Sequence, residues 1–227
     1  MLEPINRPLY DNQKALGLTQ ELLEIFRKRK TTRFFQKADI DLEVILNAIS
    51  IAGTAPSGAN KQPWSFAVVH NQQLKEKIRK AAEEEERKFY EETAPEKWLN
   101  DLKPLHTDAH KEFLTEASYL IPVFSKQFNL EKEGKTTNYY VKESVGLATG
   151  FLISALHLAG LSVLTYTPTN RNFLVDLLGR PRNERTFMVL VVGVAADNAM
   201  APKISKKHLN EIVTIYKDVK GRYPDFG

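Results

Sequence analysis

Hydrophobic positions along this chain change their spacing several times, and each change marks an element. In "DLEVILNAISIAG" (41–53), Leu42, Ile45, Leu46 and Ile49 recur at helical spacing, with Asp41 or Asp39 as the cap and Gly53 as the end. "TQELLEIFRKRK" (19–30) predicts a helix capped by Thr19, with Glu21 and Glu24 near its positive end, and leaves residues 1–18 as an extended arm. "QQLKEKIRKAAEEEERKFYEE" (72–92) reads as a long charged helix stopped near Pro95, and a second polar helix is expected over about 97–115. Short apolar runs predict strands at 64–70, 118–126, 162–167 and 185–195, and Pro122 places the second of these at a sheet edge or a bulge. "RNFLVDLLG" (171–179) is a short helix with Gly179 as its stop.

The helix expected over 138–160 is different in kind. From Val145 onward it is apolar on nearly every face, with the small residues Gly146, Ala148 and Gly150 among the large ones. A helix apolar all round is buried all round. In a chain of 227 residues that implies a central helix also covered by another subunit. Helices and strands alternate without a regular βαβ rhythm, and there is no internal repeat or low-complexity linker. The expectation is one α+β domain over 1–227, ending in a C-terminal arm at about 214–227.

Composition narrows the chemistry. Hydrophobic residues make up 42% and charged residues 26%, as in ordinary globular proteins. The absence of cysteine removes disulfides, thiolate zinc sites and cysteine nucleophiles together. A net charge of +4 is too mild for a dedicated nucleic-acid binder and suits an anionic ligand equally well. The N-terminus has no apolar core suited to a signal peptide, and no stretch of about 18 apolar residues occurs. The expectation is a soluble, cytoplasmic protein without membrane or nucleic-acid partners. No G-x-G-x-x-G follows a strand, and neither a Walker A loop nor H-E-x-x-H is present. Ser57 sits in A-P-S-G rather than G-x-S-x-G. His106 and His110 could share a helical face but lack a third ligand, so no metal site is expected.

Four segments carry candidate chemistry. "TAPSGANKQPW" (54–64) is a polar, tightly turning connection beside the core, too long and too rich in Pro and Gly for a bland link. "RKRKTTRFF" (27–35) supplies Arg29, Lys30 and Arg33 with the hydroxyls of Thr31 and Thr32. That is phosphate-binding chemistry, and equally the composition of a solvated basic helix end. In "EEEERKFY" (83–90), Glu86 and Tyr90 project together at i, i+4. With Lys111 from the next helix they would suit an amino-acid zwitterion, although such acidic runs are commonly only solvated faces. "TYTPTN" (165–170) ends a strand with hydroxyls, which can contact a ligand or cap a turn.

Taken in order, R-K-T-T-R-F, A-G-T-A-P-S-G-A-x-x-x-P-W, E-E-E-E-x-x-x-Y, D-L-K-x-L-x-T-x-x-x-K-E, T-x-T-P-x-N and L-L-G-R-P resemble the nitroreductase-like flavoproteins, and within them the iodotyrosine deiodinase branch. The resemblance spans about Ile25 to Tyr216. It implies a nitroreductase-like fold, with a central mixed sheet surrounded by helices in an intertwined homodimer, and an FMN site at each subunit interface. Arg29, Lys30, Thr31, Thr32 and Arg33 would hold the FMN phosphate and ribityl chain. Lys206 stands where the family has an arginine, and Lys207 could substitute for it. Pro56 and Ser57 would line the flavin, and Gly58 would permit close approach of main-chain donors to the ligands. Thr165, Tyr166 and Thr167 would flank the ring, with Tyr166 in place of the small hydroxyl residue expected there. Thr167, near flavin N5, would favour one-electron chemistry. The backbone N–H of Ala59 would meet the substrate phenolate, Glu86 its ammonium, and Tyr90 and Lys111 its carboxylate. Residues of about 72–115 would form a substrate lid. The implied reaction is reductive dehalogenation of halotyrosines, with electrons from an external donor or reductase. The rival reading is a general NAD(P)H-dependent nitroreductase acting on nitroaromatics or quinones. Animal members of the branch carry an N-terminal membrane anchor, so this chain is expected to be a soluble relative.

Overall fold

The computed structural model describes residues 3–5, 7, 9–131, 134–168 and 170–216. The chain runs α1 (Asn12–Arg27), β1 (Phe35–Gln36), α2 (Leu42–Gly53), β2 (Trp64–Phe66), α3 (Gln72–Lys88), α4 (Glu96–Leu102), α5 (Phe113–Glu116), β3 (Tyr119–Lys126), β4 (Phe128–Glu131), β5 (Gly134–Thr137), α6 (Val141–Leu158), β6 (Ser162–Tyr166), α7 (Asn172–Leu177) and β7 (Glu184–Ala195). A π-helical turn over Phe89–Thr93 follows α3, and short 3-10 turns occur at Gly58–Asn60, Lys103–Leu105 and Leu209–Glu211.

β7 is the hub of the sheet. Its residues 189–192 pair with β3 on one side and with β6 on the other, and both neighbours run antiparallel to it. β2 adds to the far side of β3, and β1 pairs with the end of β7. Among the described residues every pairing is antiparallel, which corrects the expectation of a mixed sheet. β3 and β6 run parallel to each other, but β7 lies between them. Side chains alternate across this sheet. Ile121, Val123, Leu190 and Val192 pack on α2 and α6, while Leu120, Val189 and Val191 pack under α3, α5 and α7. Coverage on both faces explains why the strands read as unbroken apolar runs.

Pro122 lies in a strand paired on both sides, and of the expected edge or bulge it is the bulge that is present, between Val123 and Phe124. Its carbonyl accepts from the Ala67 N–H at 3.0 Å. Proline has no N–H to return. The β2 ladder lapses there and resumes at the Val69–Leu120 bridge. Gly179 stops α7 in the left-handed region as expected, at φ 60°.

Two helices depart from their predicted bounds. α1 starts at Asn12, inside the segment expected to be an arm, because the Asp11 carboxylate accepts from the Lys14 N–H at 2.8 Å. Thr19 is not a cap; its hydroxyl donates back to the carbonyls of Ala15 and Leu16. Glu24 therefore sits near the negative end, where Arg27 offsets it. The helix expected over 97–115 is two short pieces, α4 and α5, with His106 in the left-handed region between them. His106 and His110 thus share no helical face, and among the described residues no group of metal-ligating side chains is assembled. The tail "VKGRYPDFG", expected as a second arm, lies outside the described residues. Among the described residues no helix is long and apolar enough to cross a membrane.

α6 buries Val145, Ala148, Leu152 and Leu156 against the sheet and α2. Within one chain it is not buried all round: Leu147 and Phe151 remain 48% and 39% exposed, and Leu158 is exposed beside them. A Cβ placed on Gly146 or Gly150 would meet nothing. α2 likewise turns Ile45, Ala48 and Ala52 inward and leaves Leu42 and Leu46 exposed, so only part of its expected apolar stripe faces this chain's own core.

Candidate active site

Because α1 ends at Arg27, the basic stretch 28–34 is a loop rather than a helix end. Arg29, Lys30, Thr31 and Arg33 line a cavity of about 420 Å³ with Thr165 and Lys206. Lys206 lines it and Lys207 does not. Thr32 does not line it: it is buried, its hydroxyl accepts from the Phe34 N–H at 3.1 Å, and it lines an adjoining cavity of about 240 Å³ with Arg29 and Lys30. Arg33, Leu105, Leu164 and Thr165 also line a second cavity of about 220 Å³. The two cavities therefore form neighbouring compartments of one cleft.

The second compartment gathers Glu86, Tyr90 and Lys111 with Tyr166 and Thr167. Glu86 comes from the last turn of α3 and Tyr90 from the π-helical turn that follows it. Lys111 comes from the loop entering α5. The ammonium of Lys111 lies 3.1 Å from Oε2 of Glu86, with side chains only 3% and 9% exposed. Lys111 also donates to the Asp108 carbonyl, and its backbone N–H donates to Oε1 of Glu83 at 2.8 Å. Its Nζ stands 5.5 Å from the centre of the Tyr90 ring. Burial pushes the Lys111 pKa down while the Glu86 charge resists. Burial also lowers the Arg33 pKa and raises that of the Tyr90 phenol, which therefore remains a hydrogen-bond donor.

Alternation along β6 puts Thr165 and Thr167 on the exposed side and buries Tyr166 on the other. The Tyr166 hydroxyl donates to Oε1 of Glu86 at 3.1 Å, a link between residues 80 apart that local spacing cannot reveal.

Pro56, Ser57 and Ala59 line neither compartment. Their loop docks on the start of α6, where the Gly58 N–H donates to the Ser144 hydroxyl at 3.3 Å. Ser57 Oγ accepts from the Gln62 N–H at 3.0 Å. Ala59, Asn60 and Gln62 all sit in the left-handed region, with φ of 49°, 54° and 48°. Such residues are strained by about 1–3 kcal/mol each and cluster at functional sites. The close approach that requires Gly58 is to this chain itself: a Cβ would lie 2.9 Å from the Tyr139 carbonyl oxygen and from a Tyr140 ring carbon. Gly58 therefore has a packing reason within this chain.

The layered antiparallel sheet and its basic cleft place the chain in a known class. Residues 26–194 match the model of the Nitroreductase family, and the chain belongs to that family. Within it, the similarity is to iodotyrosine deiodinases. The chain is 46% identical to the iodotyrosine deiodinase of Haliscomenobacter hydrossis over 208 residues, covering 91% of this chain and 94% of that one. It is 40% identical to iodotyrosine deiodinase 1 of Homo sapiens, covering 92% and 73%. The crystal structure of an oxidized iodotyrosine deiodinase bound to FMN and 3-iodo-L-tyrosine superposes with a TM-score of 0.71 at 35% identity, covering 87% of this chain and 99% of that chain. The family expected from the ordered motifs is the family found.

Proposed function

We propose that this chain is an FMN-dependent enzyme that reductively dehalogenates halotyrosines, converting iodotyrosine to tyrosine and iodide. The observation that carries the reading is the convergence of Glu86, Tyr90 and Lys111 in one compartment beside a basic one. The residues of the basic compartment fit FMN: guanidinium and ammonium groups of Arg29, Lys30, Arg33 and Lys206, with the Thr31 hydroxyl, match phosphate and ribityl oxygens. When bound, FMN supplies the two electrons that, with a proton, replace halogen by hydrogen on the ring carbon as halide leaves. An external donor or reductase restores those electrons.

The chain's own groups select and place the substrate. Glu86 takes its ammonium; Tyr90 and Lys111 take its carboxylate. Residues of about 72–115 act as the lid, which excludes water around the ring. The Ala59 amide receives the phenolate. Halogenation lowers a phenol's pKa below the ordinary tyrosine value of about 10, so an amide that binds phenolate favours halotyrosine over tyrosine. Because the loop holding Pro56, Ser57 and Ala59 lies apart from the cleft in one chain, these residues reach it from a second copy in a homodimer. The exposed apolar face of α6 supports that assembly.

The test is direct. Purified protein is reduced anaerobically, mixed with 3-iodo-L-tyrosine, and assayed for iodide and tyrosine. Stoichiometric release of both is expected. Rapid NAD(P)H oxidation with nitroaromatics and no halotyrosine binding would instead establish a general nitroreductase. Thr167, exposed at the end of β6, is assigned to the cofactor's electronic tuning. Thr167→Ala should shift anaerobic titrations toward two-electron reduction, and an unaltered one-electron yield would refute that role.

A further inference from the structure

We propose that Tyr166 is a positioning residue for substrate recognition: its hydroxyl pins one oxygen of Glu86, so that the other can exchange Lys111 for the substrate ammonium. The inference rests on the function proposed above and assigns a role to a residue that function leaves aside.

The two oxygens of Glu86 have separate partners. Oε1 accepts from the Tyr166 hydroxyl, and Oε2 faces the Lys111 ammonium, each at 3.1 Å. All three side chains are buried. Before a ligand arrives, the groups meant for its two charges therefore neutralise each other. A zwitterion enters by exchange: its ammonium takes the place of Lys111 on Oε2, and its carboxylate takes the place of Glu86 on Lys111. Throughout the exchange Glu86 must keep its place and its charge. The Tyr166 ring is wedged edge-on against Phe113, 5.7 Å between centroids, on a strand held by β7. Its hydroxyl is thus a fixed donor. Burial, reinforced by the Glu86 charge, pushes its pKa up and keeps the proton in place. Without that hydroxyl, Oε1 would be buried and unpaired. The carboxylate would then be free to turn, and Oε2 would no longer be held where the ligand ammonium must meet it.

The test uses FMN-loaded full-length protein, wild type and Tyr166→Phe, which keeps the ring and its packing on Phe113. Binding of 3-iodo-L-tyrosine and of its des-amino analogue, 3-(4-hydroxy-3-iodophenyl)propionate, is measured by calorimetry. The phenylalanine variant should bind iodotyrosine about tenfold more weakly, as expected for losing a hydrogen bond to a charged group, and the analogue by less than about twofold. In a Glu86→Gln background the same change should move iodotyrosine affinity by less than about twofold, because Tyr166 acts through the Glu86 charge. An equal loss for both ligands would mean a packing role and overturn the proposal, as would no loss for either. Wild-type protein that binds neither ligand would overturn the substrate assignment itself and the role of Tyr166 with it. That outcome is separable because it appears before any variant is made.

Discussion

Glu86→Gln should weaken 3-iodo-L-tyrosine binding by about ten- to a hundredfold while FMN remains bound. The substitution keeps the shape of the side chain, and its carbonyl oxygen can still accept from Tyr166. It removes the charge opposite the ligand ammonium. A hydrogen bond to a charged group is worth roughly 1.5–3 kcal/mol, which sets that range. The basic compartment does not include Glu86, so flavin content should not change. The variant should also carry a signature in stability. Burial already lowers the Lys111 pKa from 10.5, and the Glu86 charge is the chief influence opposing it. With that charge gone the pKa falls further, and the unfolded chain holds a proton that the folded chain lacks. The stability of the variant should therefore rise with pH between its lowered folded value and the ordinary lysine value. Calorimetric titration and melting curves across pH check both effects. Undiminished affinity would remove Glu86 from the site.

Local spacing carried much of this fold, and its failures have definite causes. Ile45 of α2, the run 189–192 of β7 and the Gly179 stop could be read because burial and chain reversal leave local marks. The start of α1 was misread because Thr19 and Asp11 are both good caps by type, and only the bond to Lys14 decides between them. Pro122 pointed to an edge or a bulge because proline usually avoids paired positions; the bulge and a lapse in β2 accommodate it in an interior strand. The short β1 and the β4–β5 hairpin went unread; the pattern of so few residues is too brief to register. In the site, Glu86 and Tyr90 could be matched by spacing, although the backbone between them passes from α to π geometry. Their convergence with Lys111 depends on how α3 and the α5 entry pack on the sheet, which no short window encodes. The bond from Tyr166 to Glu86 depends in addition on the register of β6 against β7.

Leu147→Glu with Phe151→Glu should convert the proposed flavin-bearing dimer into a single chain without FMN. Both side chains lie on the open face of α6, four residues apart, with Gly146 and Gly150 beside them and Leu158 continuing the face. Burying a leucine or phenylalanine side chain fully is worth roughly 1.5–3 kcal/mol; with Leu147 48% and Phe151 39% exposed in one chain, roughly half of that is left for the interface at each position, and a twofold axis counts each position twice. The double change removes that gain and sets four carboxylates against one another across the proposed interface. It should not unfold the chain, because neither side chain belongs to the packed core clusters and carboxylates at these positions can meet water. Loss of FMN follows if Pro56, Ser57 and Ala59 can reach the basic compartment only from a second copy. Light scattering and the flavin absorbance of the purified variant read the two consequences separately. A variant that stays dimeric moves the interface off α6. A monomer that retains stoichiometric FMN means that one chain builds the cofactor site alone, and the role given to the 54–64 loop fails.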